Sequence, residues 1–292
     1  MYNKYQNLKS VNDIIPLLDD DNKLVLPICF STIKILQTYL DSKEEKYMFM
    51  DRNNSTITGL MVKIYKCFIE CVDAYSKDKS EIISLYERII YEAFIKQKYL
   101  IKHGVKVQEH YRLIAYKNRF DYYKKTNHAV NDNLNGYNSC RNTKFLELLK
   151  KDGFTLENLE NNKKWKLDGK NFRQLLNDVE VDELYLSLYG ISSDTIHSDW
   201  CEISQFHLIE DKNTHYMATN IEYQKSHYRQ ILLILGIVLS SIETYSKWLN
   251  VELDINLPTL NSLTKEIQRV NNLIFKHILN TYKDNYHKFL YD

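Results

Sequence analysis

The sequence predicts an all-α protein, a multi-helix bundle of about nine or ten helices closed by two long antiparallel ones. Two observations carry this. Seven glycines and three prolines in 292 residues are too few for the turns of a β-rich architecture and leave room for long uninterrupted helices. Apolar residues also recur at helical spacing through most of the chain, as on a helix that buries one face. One large domain is expected over 1–292, with a soft division near 127–139. No internal repeat and no low-complexity segment interrupts it.

The elements follow in order. The first strong helix spans Pro27 to about Leu40, with proline where a first turn tolerates it. The second covers roughly 56–76, entered through Asn54 or Ser55. A third begins behind Asp78, whose spacing to Glu81 is that of a capping box, and stops at Gly104. A fourth covers about 107–125. The Asn-rich stretch NHAVNDNLNGYNS, 127–139, reads as a loop. Shorter helices fill 140–177, followed by one at about 180–191 and another containing His197. The last third holds two long helices, about 215–250 and 259–288, on either side of DINLP. Their most apolar run, ILLILGIVL at 231–239, is shorter than the roughly 18 residues of a membrane span, so a buried helix and no membrane are expected.

Five cysteines without a C-x-x-C pair fit a reduced compartment, and the first residues lack a basic-then-apolar signal pattern. A cytoplasmic location is the expectation. The charges are segregated. Residues 96–125 hold nine Lys or Arg against two acids, a balance of +7, and residues 174–211 hold nine acids and no Lys or Arg. The two blocks can face each other, or the other's copy in a homodimer. Alternatively 96–125, interleaved with Tyr99, Tyr111, Tyr116, Phe120, Tyr122 and Tyr123, offers a nucleic-acid surface.

Two stretches carry candidate chemistry. At 100° per residue, Arg88, Glu92, Tyr99 and His103 form a polar stripe flanking an apolar helix face. Arg88 and Glu92 are spaced for an intrahelical ion pair, or for a guanidinium held by Glu92 and aimed at an anion or a partner. In YGISSDTIHSDW, 189–200, a continuous helix would set Tyr185, Tyr189, Ser193 and His197 on one ridge, with Ser193 and His197 in contact. A break at Gly190 would instead make Ser193 or Asp194 a helix cap. His197 is the candidate general base or anion ligand, its tautomer fixed by Asp194 or Asp199. His197, Asp199 and His207 spread poorly for a metal, and no H-E-x-x-H, G-x-S-x-G or phosphate-loop motif occurs. No metal and no cofactor are predicted.

The Arg88/Glu92 helix resembles an Arg-x-x-x-Glu helix, and 165–200 resembles a Trp-x-x-Gly-Lys opening followed by Tyr-x-x-x-Tyr and Ser-x-x-x-His. The matching residues are Trp165, Gly169, Lys170, Tyr185, Tyr189, Ser193 and His197. The opening is one residue longer than that pattern, and Ser198 stands where proline often follows the histidine. Together they resemble a bacterial all-helical family of unknown function. That resemblance implies an intracellular helical protein and suggests a link to defence or mobile elements. A distant similarity to helical ribonuclease-type domains implies an Arg-x4–6-His motif. Here Arg119 and His128, and Arg269 and His277, stand too far apart for it.

The resemblance joins both stretches into one expected cluster of Arg88, Glu92, Ser193 and His197. Three functions follow. The first is an interaction or scaffold module with a partner protein or second copy. The second is a metal-independent ribonuclease-like enzyme in which His197 is general base and Arg88 stabilises the phosphorane. The third is a nucleotide or small-molecule binder with Trp165, Tyr185 and Tyr189 as walls and Lys170 on an anion.

Overall fold

The computed structural model describes residues 6–18, 23–40, 50–127, 135–179, 200, 203–204, 207–210 and 217–285. The fold is all-α, with one short strand pair. Helices α1 (Val11–Leu18), α2 (Val25–Leu40), α3 (Asn54–Ser76) and α4 (Ser80–His103) come first. They are followed by α5 (Val105–Ile114), α6 (Lys117–Thr126), α7 (Asn135–Lys151) and α8 (Leu156–Asn161). A 3-10 turn (Leu167–Gly169) and α9 (Phe172–Val179) come next. After them stand the antiparallel strands β1 (Leu208–Glu210) and β2 (Met217–Thr219), then α10 (Tyr228–Leu253) and α11 (Pro258–Asn285).

The chain forms two compact units, one of residues 1–48, 58–97 and 183–292, the other of 49–57 and 98–182. In the first, α10 packs on α11 and α2, and α1 packs on α11. Ile231, Leu232, Ile234, Leu235, Val238, Leu239 and Ile242 are all buried, which is why ILLILGIVL has no polar face. Tyr228–Glu252 is long and apolar enough to cross a membrane, and 67% of its most apolar window is buried inside the structure, as in a core helix. Gly236 lets α11 come close: a β-carbon there would stand 3.4 Å from the Asn271 amide nitrogen. A polar key lies in this core. Buried Ser241 donates to Gln97 Oε1 at 2.7 Å, and Gln97 Nε2 donates to Met61 Sδ at 3.4 Å.

The second unit has an aromatic core of Tyr116, Phe120, Phe145, Phe154, Leu149 and Leu159. Arg112 ties its parts together by donating to the Asp152 carbonyl and to Asn53 Oδ1, each at 3.0 Å.

Several boundaries differ from expectation. Helix α1 is additional, held at its start by Asp13 Oδ2, which accepts from the Ser10 amide at 2.7 Å and the Lys9 amide at 2.9 Å. Asp51, not Asn54 or Ser55, caps the approach to α3, its Oδ1 accepting from the amides of Asn53 (2.7 Å) and Asn54 (3.0 Å). The capping box at 78–81 does not form. Asp78 Oδ1 instead accepts from the Ser226 amide and Glu81 Oε1 from the Gln224 amide, both at 3.2 Å.

The expected helix at 107–125 is two helices. They part at Tyr116, whose buried ring sends its hydroxyl to Asp152 Oδ2 at 2.6 Å. Helix α7 starts inside the stretch expected to be a loop, because Asn138 and Asn142 bond to Tyr122 and Thr126 of α6 and do not form turns. The helix expected from about 215 begins only at Tyr228. There the His227 ring accepts from the Arg229 amide, and the residues before it form β2 and an extended run.

Candidate functional site

The stripe on α4 is real but serves two settings. Mid-helix, Arg88 Nε stands 3.3 Å from Glu92 Oε1 and Lys96 Nζ stands 3.1 Å from Glu92 Oε2, an i,i+4 ladder within the first unit. Burial pushes the Glu92 carboxyl up, but Lys96 and Arg88 outweigh it and leave it below its ordinary value.

The last turn of α4 belongs to the second unit, and there the side chains meet distant partners. Lys102 Nζ stands 2.6 Å from Asp178 Oδ1, His103 Nε2 stands 3.1 Å from the same oxygen, and Lys170 Nζ stands 2.6 Å from Asp178 Oδ2. The Lys170 ammonium also lies 4.9 Å from the centre of the Tyr99 ring, whose hydroxyl donates to Asp168 Oδ2 at 3.0 Å. Tyr99 is fully buried and its ring lies 4.2 Å from that of His103. Hydrogen bonds from Lys102 and Lys170, with a smaller one from His103, hold the Asp178 carboxyl well below the usual carboxylate range. Asp178 and the Tyr99 phenol in turn hold the Lys170 ammonium above its ordinary value.

A tight turn presents Lys170. Asp168 and Gly169 both have positive φ, at 50° and 75°, the conformation that an Asp-Gly pair favours. His110 fixes the turn from below. Its Nδ1 accepts from the Asp168 amide at 3.1 Å, so its proton sits on Nε2, which donates to the Lys164 carbonyl at 3.0 Å.

Of the residues singled out from sequence, Tyr99, His103 and Lys170 therefore converge. Arg88 and Glu92 pair with each other in the other unit. Trp165 lies against the aromatic core, 6.2 Å from Phe120 in a stacked arrangement. Tyr185, Tyr189, Ser193 and His197 lie outside the described residues, and so does any meeting of Arg88 with His197. Asp178, Asp168 and His110 were missed. Asp178 was one acid in a block of nine, whereas the Asp168–Gly169 dipeptide was a readable turn signal.

The blocks of opposite charge do touch, through Lys102 and Asp178. Half of the aromatics of 96–125 are structural: Tyr99, Tyr116 and Phe120 are buried and cannot serve as stacking platforms. Among the described residues no three His, Cys, Asp or Glu side chains gather as metal ligands would. Three clefts open elsewhere, between α6 and α7, along α11, and between α10 and α11. Neither carboxylate cluster lines any of them. A family model described as "Family of unknown function (DUF5677)" matches residues 54–216. No curated protein and no solved structure matches the chain.

Proposed function

The match spans more than half of the chain, so the chain belongs to this family of unknown function (DUF5677), and within it we propose an interaction module rather than a catalyst. The Asp178 cluster carries the reading. One carboxylate takes Lys102, His103 and Lys170 from two separate stretches of chain, with distances of 2.6–3.1 Å, and the cluster lines none of the three clefts described above. Side chains arranged this way spend their charge on joining α4, the 3-10 turn and α9. Arg88, the guanidinium on which a ribonuclease-like alternative would draw, is 11% exposed and bonded within its own helix. On this reading the partner is macromolecular, a second copy or another protein, and the buried α10 supports a place away from the membrane.

The test is a double-mutant cycle of Asp178→Asn and Lys170→Met, followed by urea unfolding. Each change is expected to cost about 1–3 kcal/mol, with coupling of about 1 kcal/mol. Single variants that unfold like the wild type would sink the structural role and return the cluster to ligand binding.

A further inference from the structure

Four of the nine cations of the basic block are already committed. Lys96 pairs with Glu92, Lys102 with Asp178 and Lys124 with Asp121, and Arg112 is bonded to Asp152 and Asn53. Arg119 on α6 is different. It projects into a cleft of about 250 Å³ that α6 and α7 form within the second unit, shared with Arg141 and Lys144 from α7. No carboxylate lines this cleft, and among the described residues none of the three cations has an acidic partner. Like charges are gathered here without a counter-charge, which favours an anion arriving from solution.

The walls are not those of a bare phosphate site. Phe145, 4% exposed, and Leu148 give it an apolar side. The Arg141 guanidinium carbon lies 4.2 Å from the centre of the Tyr122 ring, a cation–π contact that anchors the side chain at the cleft without using its N–H donors, which a bidentate anion can take. Tyr122 is itself fixed by donating to Asn138 Oδ1 at 2.5 Å. Asn142, nine-tenths buried, also lines the cleft and bonds Thr126 Oγ1 at 3.2 Å. An amide has four hydrogen-bonding positions, so Asn142 keeps both donor and acceptor capacity for an incoming ring edge. The volume is small for a small-molecule pocket, whose range starts near ~300 Å³, and suits one unit rather than two.

We propose that the α6–α7 cleft binds a single nucleoside phosphate unit, its phosphate on Arg119, Arg141 and Lys144 and its base beside Phe145 and Asn142. That unit is either a free nucleotide or one residue of a single-stranded RNA. The proposal stands apart from the interaction reading, because Asp178 and its partners take no part in it.

The experiment titrates the full chain with adenosine 5′-monophosphate, adenosine, inorganic phosphate and a fluorescently labelled single-stranded RNA. It compares wild type with Arg119→Ala, Lys144→Ala and the control Lys150→Ala, an exposed lysine of α7 outside the cleft. All three sit on helix surfaces, and circular dichroism checks that their unfolding midpoints are unchanged. Arg119→Ala and Lys144→Ala should each weaken binding about ten-fold, as loss of a charged hydrogen bond does, while Lys150→Ala leaves it intact. If the mononucleotide shows this pattern, a free nucleotide suffices. If only the RNA shows it, the unit comes from a polymer. Inorganic phosphate bound as tightly as the mononucleotide would overturn the nucleoside assignment. Absence of binding to every probe, or equal loss in Lys150→Ala, would overturn the site.

Discussion

The first half of α4 and its last turn deal with a shielded acid in opposite ways. Glu87, 9% exposed, has no ion-pair partner among the described residues, and burial pushes its carboxyl up to about 7. Asp178 beside the last turn is 17% exposed, but the ammonium groups of Lys102 and Lys170 and a hydrogen bond from His103 hold its carboxyl well below the usual range. Burial alone therefore does not decide the charge of an acid in this protein. What decides is whether a counter-charge is delivered: Asp178 receives one from distant chain, Glu92 from its own helix, and Glu87 from neither among the described residues.

The sharpest way to break this contrast is Asp178→Ala. It strands Lys102 and Lys170 together and should lower the unfolding free energy by about 2–3 kcal/mol in urea at neutral pH. Its pH signature follows from the lowered carboxyl. The stabilisation is fully present above the unfolded value near 3.8 and is lost as pH falls through the lower folded value. Wild type and variant should thus differ by a constant amount from pH 5 to 8 and converge only in strong acid.

Glu87→Gln tests the other side. A folded value raised from 4.5 to about 7 means that Glu87 stabilises fully below 4.5 and loses that contribution as pH rises through 7. Glutamine does not titrate, so the variant should match wild type near pH 4 and exceed it by about 3 kcal/mol at pH 8. A flat difference across that range would mean that Glu87 has a counter-charge after all.

Tyr99→Phe removes the hydroxyl that donates to Asp168 and should cost about 1 kcal/mol, leaving the ring under Lys170 in place. Glu92→Gln should cost least, about 0.5 kcal/mol, because Arg88 and Lys96 reach it only along one helix surface. If Glu92→Gln cost as much as Asp178→Ala, the distinction between local and long-range pairing would fall.

What the chain reveals before folding follows the same distinction. Helix existence was legible because scarce Gly and Pro and helical apolar spacing are local signals, and so was the Arg88–Glu92 pair. The stop at Gly104 was legible because its φ of 71° suits glycine. The false capping box was not, since Asp78 and Glu81 satisfy amides 148 and 143 residues away. The break at Tyr116 was hidden for a like reason, its hydroxyl answering to Asp152. Sequence reasoning found Tyr99 and His103 on one stripe and Lys170 on another stretch, yet had no means of choosing Asp178 from among nine acids.

Those long-range amides also bear on the order in which the protein is made. The start of α4 is finished by chain around 224–230: Ser80 donates its amide to the Gln224 carbonyl, and Gln230 Nε2 reaches back to Ser80 and Ser84. A ribosome adding about 5–20 residues each second would leave α4 without these partners for roughly 6–25 s. During that interval a nascent chain would hold Ser80, Ser84 and buried Gln97 without the Gln230 and Ser241 side chains that satisfy them, and chaperones would have a defined window in which to hold it.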